Sequence, residues 1–422
     1  MRDFRTLPDG PLRLVNLHAP ACLAGQEGDL VRIELTLDGP TLSDARVPEV
    51  DMDGAMVFPA FVDMHTHLDK GHIWPRAANP DGTFMGALTT VGEDRAANWS
   101  AEDVRARMDF ALRCAYAHGT RAIRTHLDSI PPQDDISWPV FDEIRAEWAG
   151  RIELQAACLV GIENVTADGA YLHTAEFVSR YNGVLGAVAY PVPDLDEKLD
   201  IVFRIAAERG LDVDFHADET QDPDSACLRA IAEAKLRHSF DGRVVVGHCC
   251  SLARQSDDEA ERTLDLVAEA GLNIVSLPLC NLYLQDRHAG RTPRSRGVTL
   301  VHEMADRGIP AAFASDNTRD PFYAYGDLDM MEVLRQATRI AHLDHSRADW
   351  PCAVTTTPAE ACGFTPATLA PRQPADLVIC NARSWTELFA RPQSDRIVIR
   401  GGQRIDRTLP DYRELDHLME PA

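Results

Sequence analysis

Short apolar runs alternate along the chain with longer stretches whose apolar residues recur at helical spacing. Strand-like runs followed by helical periodicity predict βα units around a mainly parallel sheet. The apolar runs predict eight strands, at Phe58–Met64, Thr120–His126, Ile152–Val160, Gly183–Tyr190, Leu211–His216, Arg243–His248, Leu272–Leu277 and Pro310–Asp316.

Stretches rich in Ala, Leu, Arg and Glu separate most of these predicted strands. The clearest helical stretches are Ala101–His118, Leu195–Arg209, Asp224–Leu236, Glu259–Ala270 and Thr299–Arg307. This rhythm favours an α/β fold of the (β/α)8 type, as in a TIM barrel. An open, doubly wound sheet has a similar rhythm and remains the structural alternative.

Both ends of the chain have the pattern of β structure. Before residue 57, the runs Leu12–Val15 and Leu30–Leu35 are separated by Gly, Pro and Asp turns, and strand-like runs return at Ala375–Cys380 and Arg396–Arg400. Because chain termini often lie together, we expect the two ends to build a small β-sandwich beside the barrel. The predicted segments are residues 1–56 and 371–422 for the sandwich and residues 57–370 for the barrel.

Composition narrows the partners and the compartment. The 422 residues include 42 basic and 66 acidic ones, and this net charge of −24 disfavours nucleic acid and acidic membranes as partners. No signal peptide is recognisable and no apolar run reaches the ~18 residues of a membrane span, so a cytoplasmic protein is expected. The ten cysteines form no CxxC pair, which favours buried thiols. A homo-oligomer is compatible with the sequence, which does not specify the oligomeric state.

Polar residues follow the apolar runs at the ends of several predicted strands. In a parallel barrel these carboxyl ends meet at one face, where active sites lie. His65 and His67 close the first strand, and alternation along a strand places both on one side. The other strand ends carry His126, His216-Ala217-Asp218-Glu219, His248 and Ser315-Asp316-Asn317. Each residue alone could be a core histidine or a turn aspartate, but together they indicate a site.

This set of residues has the chemistry of a hydrolytic metal site. Neutral imidazoles of His65, His67 and His216, with the carboxylate of Asp316, suit one divalent ion, zinc or iron, and leave a position for water. The ion would lower the pKa of that water toward ~7. Glu219, three residues beyond His216, is placed to act as general acid and base. Asp316 therefore counts as both a ligand and a catalytic residue.

Other residues near strand ends are candidates for the remaining roles. His248 could orient the water or stabilise a tetrahedral intermediate. Candidates for the substrate wall are His126, Asn281, Gln285, Asn317, Asp320 and Tyr323. Trp74, Phe84 and Phe322 could stack on a flat ring, although aromatic residues beside a barrel mouth are as often plain packing.

These blocks resemble, in order, those of the cytosine deaminase branch of the amidohydrolase superfamily. The similarity extends from about Asp53 to Gly402 and rests on Phe58–Asp69, Arg124–His126, His216–Glu219, Gly247–His248, Pro278–Gln285 and Asp316–Pro321. The resemblance implies a mononuclear zinc or iron ion at His65, His67, His216 and Asp316. It also implies that Glu219 moves a proton from water to a ring nitrogen, that His248 positions the hydroxide, and that ammonia leaves. Binuclear amide-hydrolysing relatives typically place a bridging lysine on strand four, and Gly183–Tyr190 contains none.

The substrate pocket departs from the cytosine deaminase pattern. Gly161 stands where those enzymes have a glutamine that reads the pyrimidine amide, and Asn317 stands where they have a second aspartate. A pocket without its amide partner should be larger and should discriminate against cytosine. The loop Asp69–Arg76 also differs, and its Lys70 or Arg76 could meet an anionic substituent.

We therefore expect an enzyme that deaminates a flat aminoheterocycle, such as a pterin, a triazine or a substituted pyrimidine. A cyclic amide hydrolase or an N-alkylamine hydrolase on the same barrel is the alternative enzyme class. A barrel that binds a ligand without catalysis is a third interpretation, because fold alone does not specify function.

Overall fold

The computed structural model describes residues 2–419. Met1 and residues 420–422, at the outer ends of the predicted terminal segments, lie outside the described residues. The strands are β1 Leu12–Pro20, β2 Leu30–Leu37, β3 Leu42–Ser43, β4 Glu49–Asp51, β5 Met56–Pro59, β6 Phe61–Thr66, β7 Thr120–Asp128, β8 Glu153–Leu159, β9 Leu185–Ala189, β10 Val213–Ala217, β11 Val244–His248, β12 Asn273–Ser276, β13 Ala311–Phe313, β14 Leu377–Cys380, β15 Ile397–Arg400 and β16 Gln403–Arg404.

The α-helices mostly lie between strands. They are α1 Phe84–Asn98, α2 Ala101–His118, α3 Asp134–Glu147, α4 Ala170–Arg180, α5 Leu195–Arg209, α6 Cys227–Arg237, α7 Asp257–Ala270, α8 Pro278–Leu284, α9 Val301–Asp306, α10 Met330–Ala341, α11 Thr356–Cys362, α12 Trp385–Ala390 and α13 Asp416–Met419. Helices α2 and α5 coincide with their predicted ranges. Among residues 2–419, no helix has both the length and the apolarity that a membrane span requires.

Strands from both ends of the chain form one mixed sheet. Strand β1 pairs antiparallel with β2 and parallel with β4 and β5. Strand β5 pairs antiparallel with β14, and the sheet continues through β15 to β16. The expected pairing of the two chain ends is therefore present.

The other eight strands are parallel and lie in two sheets. Strands β6, β7 and β8 form one sheet, and β9 to β13 form the other. Isolated parallel bridges join the two sheets, from Ala157 to Val184, from Gly161 to Val188 and from Thr66 to Asp316. The chain thus has an α/β fold with mixed sheets, in which the carboxyl ends of the parallel strands lie at one edge.

The first predicted strand is divided in the structure. Its beginning belongs to β5 of the terminal sheet and its end to β6 of a parallel sheet, so β5 crosses the predicted boundary at residue 57. Pro59 has no N–H to continue a ladder. The next two amides point to different partners, that of Ala60 to the carbonyl of Asp376 at 2.9 Å and that of Phe61 to Gly119 at 3.0 Å. The chain therefore changes sheets at Ala60.

Small and branched side chains fill the space between the parallel strands. Val62, Met64, Val245 and Val275 belong to one buried cluster there. Burial of such side chains stabilises the strands by roughly 25 cal/mol per Å² of apolar surface removed from water. The packed interior gives the polar residues at the strand ends a rigid base.

Arg396 joins the terminal sheet to α10. Its guanidinium is 1% exposed and donates two hydrogen bonds of 2.6 Å to the carboxylate of Asp329, the residue that caps α10. Burial by itself would raise the pKa of the Asp329 carboxyl. The positive charge of Arg396 outweighs this effect and holds the pKa of Asp329 well below its usual range.

We predict that Arg396→Met lowers the free energy of unfolding by about 3–5 kcal/mol at neutral pH, because it removes the guanidinium that neutralises the buried carboxylate of Asp329, whose other contacts are the Met331 amide and the His118 ring. Urea unfolding measures the difference. The folded-state pKa of Asp329 lies below its unfolded value, so the difference should shrink as the pH falls through the folded-state pKa. The control is Arg383→Met, which breaks an exposed pair with Glu387 and should cost less than about 1 kcal/mol. Equal effects of the two substitutions would contradict the prediction.

Candidate active site

Polar residues from distant parts of the chain meet at the carboxyl ends of the parallel strands. Thr66, the last residue of β6, forms a parallel bridge with Asp316, and the amide of Asp316 donates to the carbonyl of His65 at 2.9 Å. In the second parallel sheet, His216 of β10 is in register with Gly247 of the adjacent strand β11. The strand pairing therefore determines which side chains face one another.

Four of the sequence-predicted residues come within a few ångströms of one another. The Nε2 atom of His67 lies 3.2 Å from Oδ1 of Asp316 and 3.4 Å from Nε2 of His216. The Nε2 atom of His65 lies 3.6 Å from the same Asp316 oxygen. These distances bring three imidazoles and one carboxylate to a common point.

Several donor atoms at this point lack a hydrogen-bond partner. Within residues 2–419, both ring nitrogens of His65 and both carboxylate oxygens of Asp316 are buried without a hydrogen bond. Buried polar atoms normally have a partner, and a cation held between them would satisfy these. Nitrogen and oxygen donors in this number suit a divalent metal ion, and the residues therefore fit such an ion.

The imidazoles are neutral, as metal ligands must be. Burial lowers the pKa of His65, His67 and His216 well below the usual range. The neighbouring imidazoles lower these pKa values further, and for His67 the principal neighbour is Lys70. At neutral pH each ring can offer a nitrogen lone pair.

His126 lies beneath this cluster rather than on the substrate wall proposed for it from the sequence. Its ring centroid is 4.1 Å from that of His65, and its Nε2 lies 3.1 Å from Oδ1 of Asp214. Asp214 in turn forms a buried ion pair of 2.8 Å with Arg124. His126 is thus close enough to the other histidines to belong to the donor group.

Glu219 lies beside the cluster without belonging to it. The amide of Asn281 donates to Oε1 of Glu219 at 3.2 Å and lies 3.0 Å from Nδ1 of His248. The carbonyl of Glu219 accepts a hydrogen bond of 3.1 Å from Gln285. Burial, together with the nearby Asp316, raises the pKa of Glu219 above its usual range. A carboxyl group in this environment can hold a proton and release it.

The turns after the strands adopt left-handed backbone conformations. Asp218, His248 and Asp316 have φ values of 54°, 72° and 64°. Non-glycine residues rarely adopt such values, and they cluster at functional sites. The carboxylate of Asp218 accepts hydrogen bonds of 2.9 Å from the amides of Cys227 and Leu228. These bonds direct the Asp218 side chain away from the histidine cluster, and the next residue, Glu219, lies beside the cluster.

A cavity of about 320 Å³ opens over the cluster. This volume is in the range of small-molecule sites. The polar residues His67, His216, Glu219, His248 and Asp316 line it, and apolar residues form much of its wall. The apolar residues lining it are Phe84, Leu88, Val91, Ile130, Leu159, Val160, Val188 and Phe322. The rings of Phe84 and Phe322 lie 5.5 Å apart at 68°, so two aromatic groups border the space for a flat ligand.

Gly161 lines the cavity, but the space beside it is not empty. A Cβ atom on Gly161 would lie 2.3 Å from Oε2 of Glu163. The φ value of Gly161 is −62°, which any residue adopts, so a side chain at this position would meet the movable end of Glu163 and no backbone strain. The carboxylate of Glu163 takes up part of the space that Gly161 leaves, and the larger pocket stays a prediction.

In the loop after His67, the cationic side chains of Lys70 and Arg76 point in different directions. Lys70 lines the cavity and donates to Asp128 at 2.7 Å, whereas the guanidinium of Arg76 is held by Asp94 and Asp103. Trp74 and Arg76 are absent from the cavity lining of residues 2–419. Of the two cations considered for an anionic substituent, the structure brings only Lys70 to the cavity.

The remaining wall candidates divide between the cavity and its supports. Asn317 lines the cavity and donates to Asp320 at 2.7 Å. Asn281 and Gln285, on and just after α8, contact Glu219, as described above. Arg95, Asp128, Glu163 and Tyr190 also line the cavity, although sequence reasoning assigned them no role. Asp128 ends a strand, and that signal could have identified it.

Comparisons with known proteins agree with this geometry. The model of the amidohydrolase family Amidohydro_3 matches residues 48–130 and 165–406. A protein named pterin deaminase from Rhizobium rhizogenes is 57% identical over 373 residues, which cover 88% of this chain and 85% of that protein. An N-isopropylammelide isopropyl amidohydrolase from Pseudomonas sp. strain ADP is 23% identical and covers 73% of both chains.

A solved structure has a similar fold over nearly its whole length. It is a 5-methylcytosine deaminase from Klebsiella pneumoniae liganded with phosphonocytosine, which is 25% identical to this chain. The superposition has a TM-score of 0.80 and covers 93% of this chain and 98% of that one.

We predict that the purified protein retains a divalent ion after dialysis and that His67→Ala lowers the retained metal at least about tenfold, because a ligand matters more than the groups that orient it. Mass spectrometry of the metal content is the measurement. The matched control is His238→Ala, which removes a histidine paired with Asp200 away from the site. Equal metal contents in wild type and His67→Ala would refute the assignment.

Proposed function

The chain belongs to the amidohydrolase family, and on that basis we propose that it is a metal-dependent deaminase. It replaces an exocyclic amine of a nitrogen heterocycle with a carbonyl group and releases ammonia. The observation that carries this proposal is the position of Glu219, which lines one cavity with His248, His67, His216 and Asp316, while His65 is buried against Asp316. A proton-carrying carboxyl group next to a metal site is what exchange of an amine for water requires.

Among aminoheterocycles, we favour a pterin as the substrate. The relative from Rhizobium rhizogenes that carries the name pterin deaminase is 57% identical to this chain over 373 residues. The cavity also suits a flat bicyclic ring, since Phe84, Phe322 and Val188 line it. Triazines and substituted pyrimidines are the other candidates from the sequence.

Each chain would hold one divalent ion, zinc or iron, at His65, His67, His216 and Asp316. When bound, such an ion acts as a Lewis acid that lowers the pKa of a water molecule toward ~7. His126 packs against His65 and orients it from below. Of these four residues, Asp316 contributes the negative charge, and the three histidines contribute neutral nitrogen atoms.

Side chains of the protein carry out the proton transfers of the reaction. Glu219 accepts a proton from the attacking water and delivers it to the ring nitrogen beside the amine-bearing carbon. His248 borders the cavity and orients the water, while Asn281 holds both His248 and Glu219 in place. Glu219 then accepts the proton of the newly added hydroxyl group and passes it to the amine, the carbon–nitrogen bond breaks, ammonia leaves, and the ring keeps a carbonyl group and the proton on its nitrogen. Gly161, Gln285 and Asn317 complete the wall around the substrate.

We further propose the complete architecture. The parallel strands close into a (β/α)8 barrel over residues 57–370, supported by the bridges from Ala157 to Val184 and from Thr66 to Asp316. The terminal segments 1–56 and 371–422 fold together as a small β-sandwich. A cytoplasmic location and a homo-oligomer remain predictions, as does the lack of nucleic acid and membrane partners.

We predict ammonia release from pterin in the presence of zinc or iron, with a carbonyl product of matching stoichiometry. A coupled ammonia assay across pterin, aminotriazines and substituted pyrimidines is the measurement. Release of an alkylamine from an N-alkyl substrate, or opening of a lactam, with no ammonia from any aminoheterocycle, would instead establish the alternative hydrolase.

We predict that Glu219→Gln lowers kcat by roughly 10²–10⁴-fold, because it removes the group that carries the proton. The metal content should stay at the wild-type level, since Glu219 is not a ligand. Glu233→Gln, an exposed position on α6, is the matched control for the loss of a carboxylate. Turnover by Glu219→Gln at the rate of this control would remove Glu219 from the mechanism.

A further inference from the structure

Glu163 is a polar side chain of the cavity that the proposed mechanism does not use. It lies in the turn Ile162–Asn164, directly after β8 and Gly161. The other polar residues of the lining belong either to the metal and catalytic group or to the ion-paired group of Lys70, Asp128 and Arg95. Glu163, Tyr190 and Asn317, the last of which donates to Asp320, are the three that remain.

Two neighbours hold the carboxylate of Glu163 in place. The hydroxyl of Tyr190 donates to Oε2, and the side-chain amide of Asn164 donates to Oε1 at 2.8 Å. Burial and the carboxylate raise the pKa of Tyr190, so its hydroxyl remains a donor. Because Tyr190 follows β9 and Glu163 follows β8, the contact joins two strand ends across the cavity wall.

The backbone of this turn is also anchored. The buried ammonium of Lys198 donates to the carbonyls of Glu163 at 3.2 Å and Val165 at 3.1 Å. Gly161 forms a parallel bridge with Val188 of β9. Because contacts hold both the carboxylate of Glu163 and the backbone that carries it, Glu163 loses little conformational freedom when a ligand binds.

The contacts leave the carboxylate able to accept more hydrogen bonds. A carboxylate has about four acceptor positions and no donor. Among residues 2–419, no Lys, Arg or His nitrogen lies within 4.0 Å of it as an ion-pair partner. Its charge is therefore not neutralised by the protein, and a ligand in the cavity that supplies an N–H would find a charge-assisted acceptor.

We propose that Glu163 is a specificity-determining residue that accepts a hydrogen bond from a ring N–H of the bound aminoheterocycle. Tyr190 is the positioning residue for this contact. The cavity would thus select heterocycles with an N–H donor on the edge that faces Glu163, in addition to the amine that leaves. This inference rests on the proposed function, because it assumes that an aminoheterocycle occupies the cavity.

The test measures binding separately from turnover. In the Glu219→Gln background, quenching of pterin fluorescence gives the Kd of unreacted ligands. Two ligand pairs differ in one ring N–H: pterin against pterin methylated on its lactam nitrogen, and a dihydropterin, which has an additional ring N–H, against pterin. The variants are Glu163→Ala, Glu163→Gln, Tyr190→Phe and, as the matched control, Glu197→Ala on the exposed face of α5.

We expect the parent protein to favour the N–H partner in one pair by about tenfold or more, the size of a hydrogen bond to a charged group. Glu163→Ala should reduce this ratio to near unity, and Glu163→Gln, which keeps an acceptor oxygen, should retain part of it. Tyr190→Phe should lower the ratio less than Glu163→Ala. Glu197→Ala should leave the ratio as it is in the parent protein.

The inference is overturned if Glu163→Ala changes neither ratio, or if the parent protein binds none of the ligands. A loss of binding without a change in either ratio assigns Glu163 a structural role and also overturns it. The proposed function fails separately, when the wild-type protein with metal binds pterin but releases no ammonia. The two failures therefore give different results.

Discussion

The site depends on the contact between the first parallel strand and the segment that follows the last one. The amide of Asp316 donates to the carbonyl of His65 at 2.9 Å, and one residue earlier the amide and hydroxyl of Ser315 donate to the carboxylate of Asp63 at 3.1 and 2.5 Å. Burial raises the pKa of Asp63 to about 6, and the hydrogen bonds from Ser315 oppose this shift. Through this contact, imidazoles from the start of the parallel strands meet a carboxylate from their end.

The interior below the site is apolar or has its charges paired, whereas the site itself contains buried polar atoms without partners. Below, apolar side chains such as Val62 and Val245 pack closely, and the buried charges of Arg124 and Asp214 are paired. At the strand ends, polar atoms are buried without partners and the backbone of Asp316 is left-handed. Such features cost free energy and persist where the surrounding structure holds them, and a bound cation would offset the cost of the unpaired atoms.

Prediction from the sequence was sufficient for positions that a single strand determines. A polar residue at the end of an apolar run lies at the strand's carboxyl end, and the structure places His65, His216, His248 and Asp316 at or just after such ends, while their roles stay predictions. Prediction failed for Arg76, because two aspartates of α1 and α2 bind that guanidinium and the spacing in the loop does not show this. Glu163 was missed for a similar reason, since its direction depends on Tyr190, which follows a different strand.

By itself, the sequence determined the α/β alternation, the candidate metal-ligand types and the resemblance to deaminases, because these follow from local periodicity and from residue chemistry. Only the tertiary structure decided which side chains share the cavity. It placed Lys70 there and Trp74 elsewhere, set His126 beneath the ligands, and filled the space beside Gly161 with a carboxylate. Those outcomes depend on contacts between strands and loops far apart in the chain, whose partners no local pattern specifies.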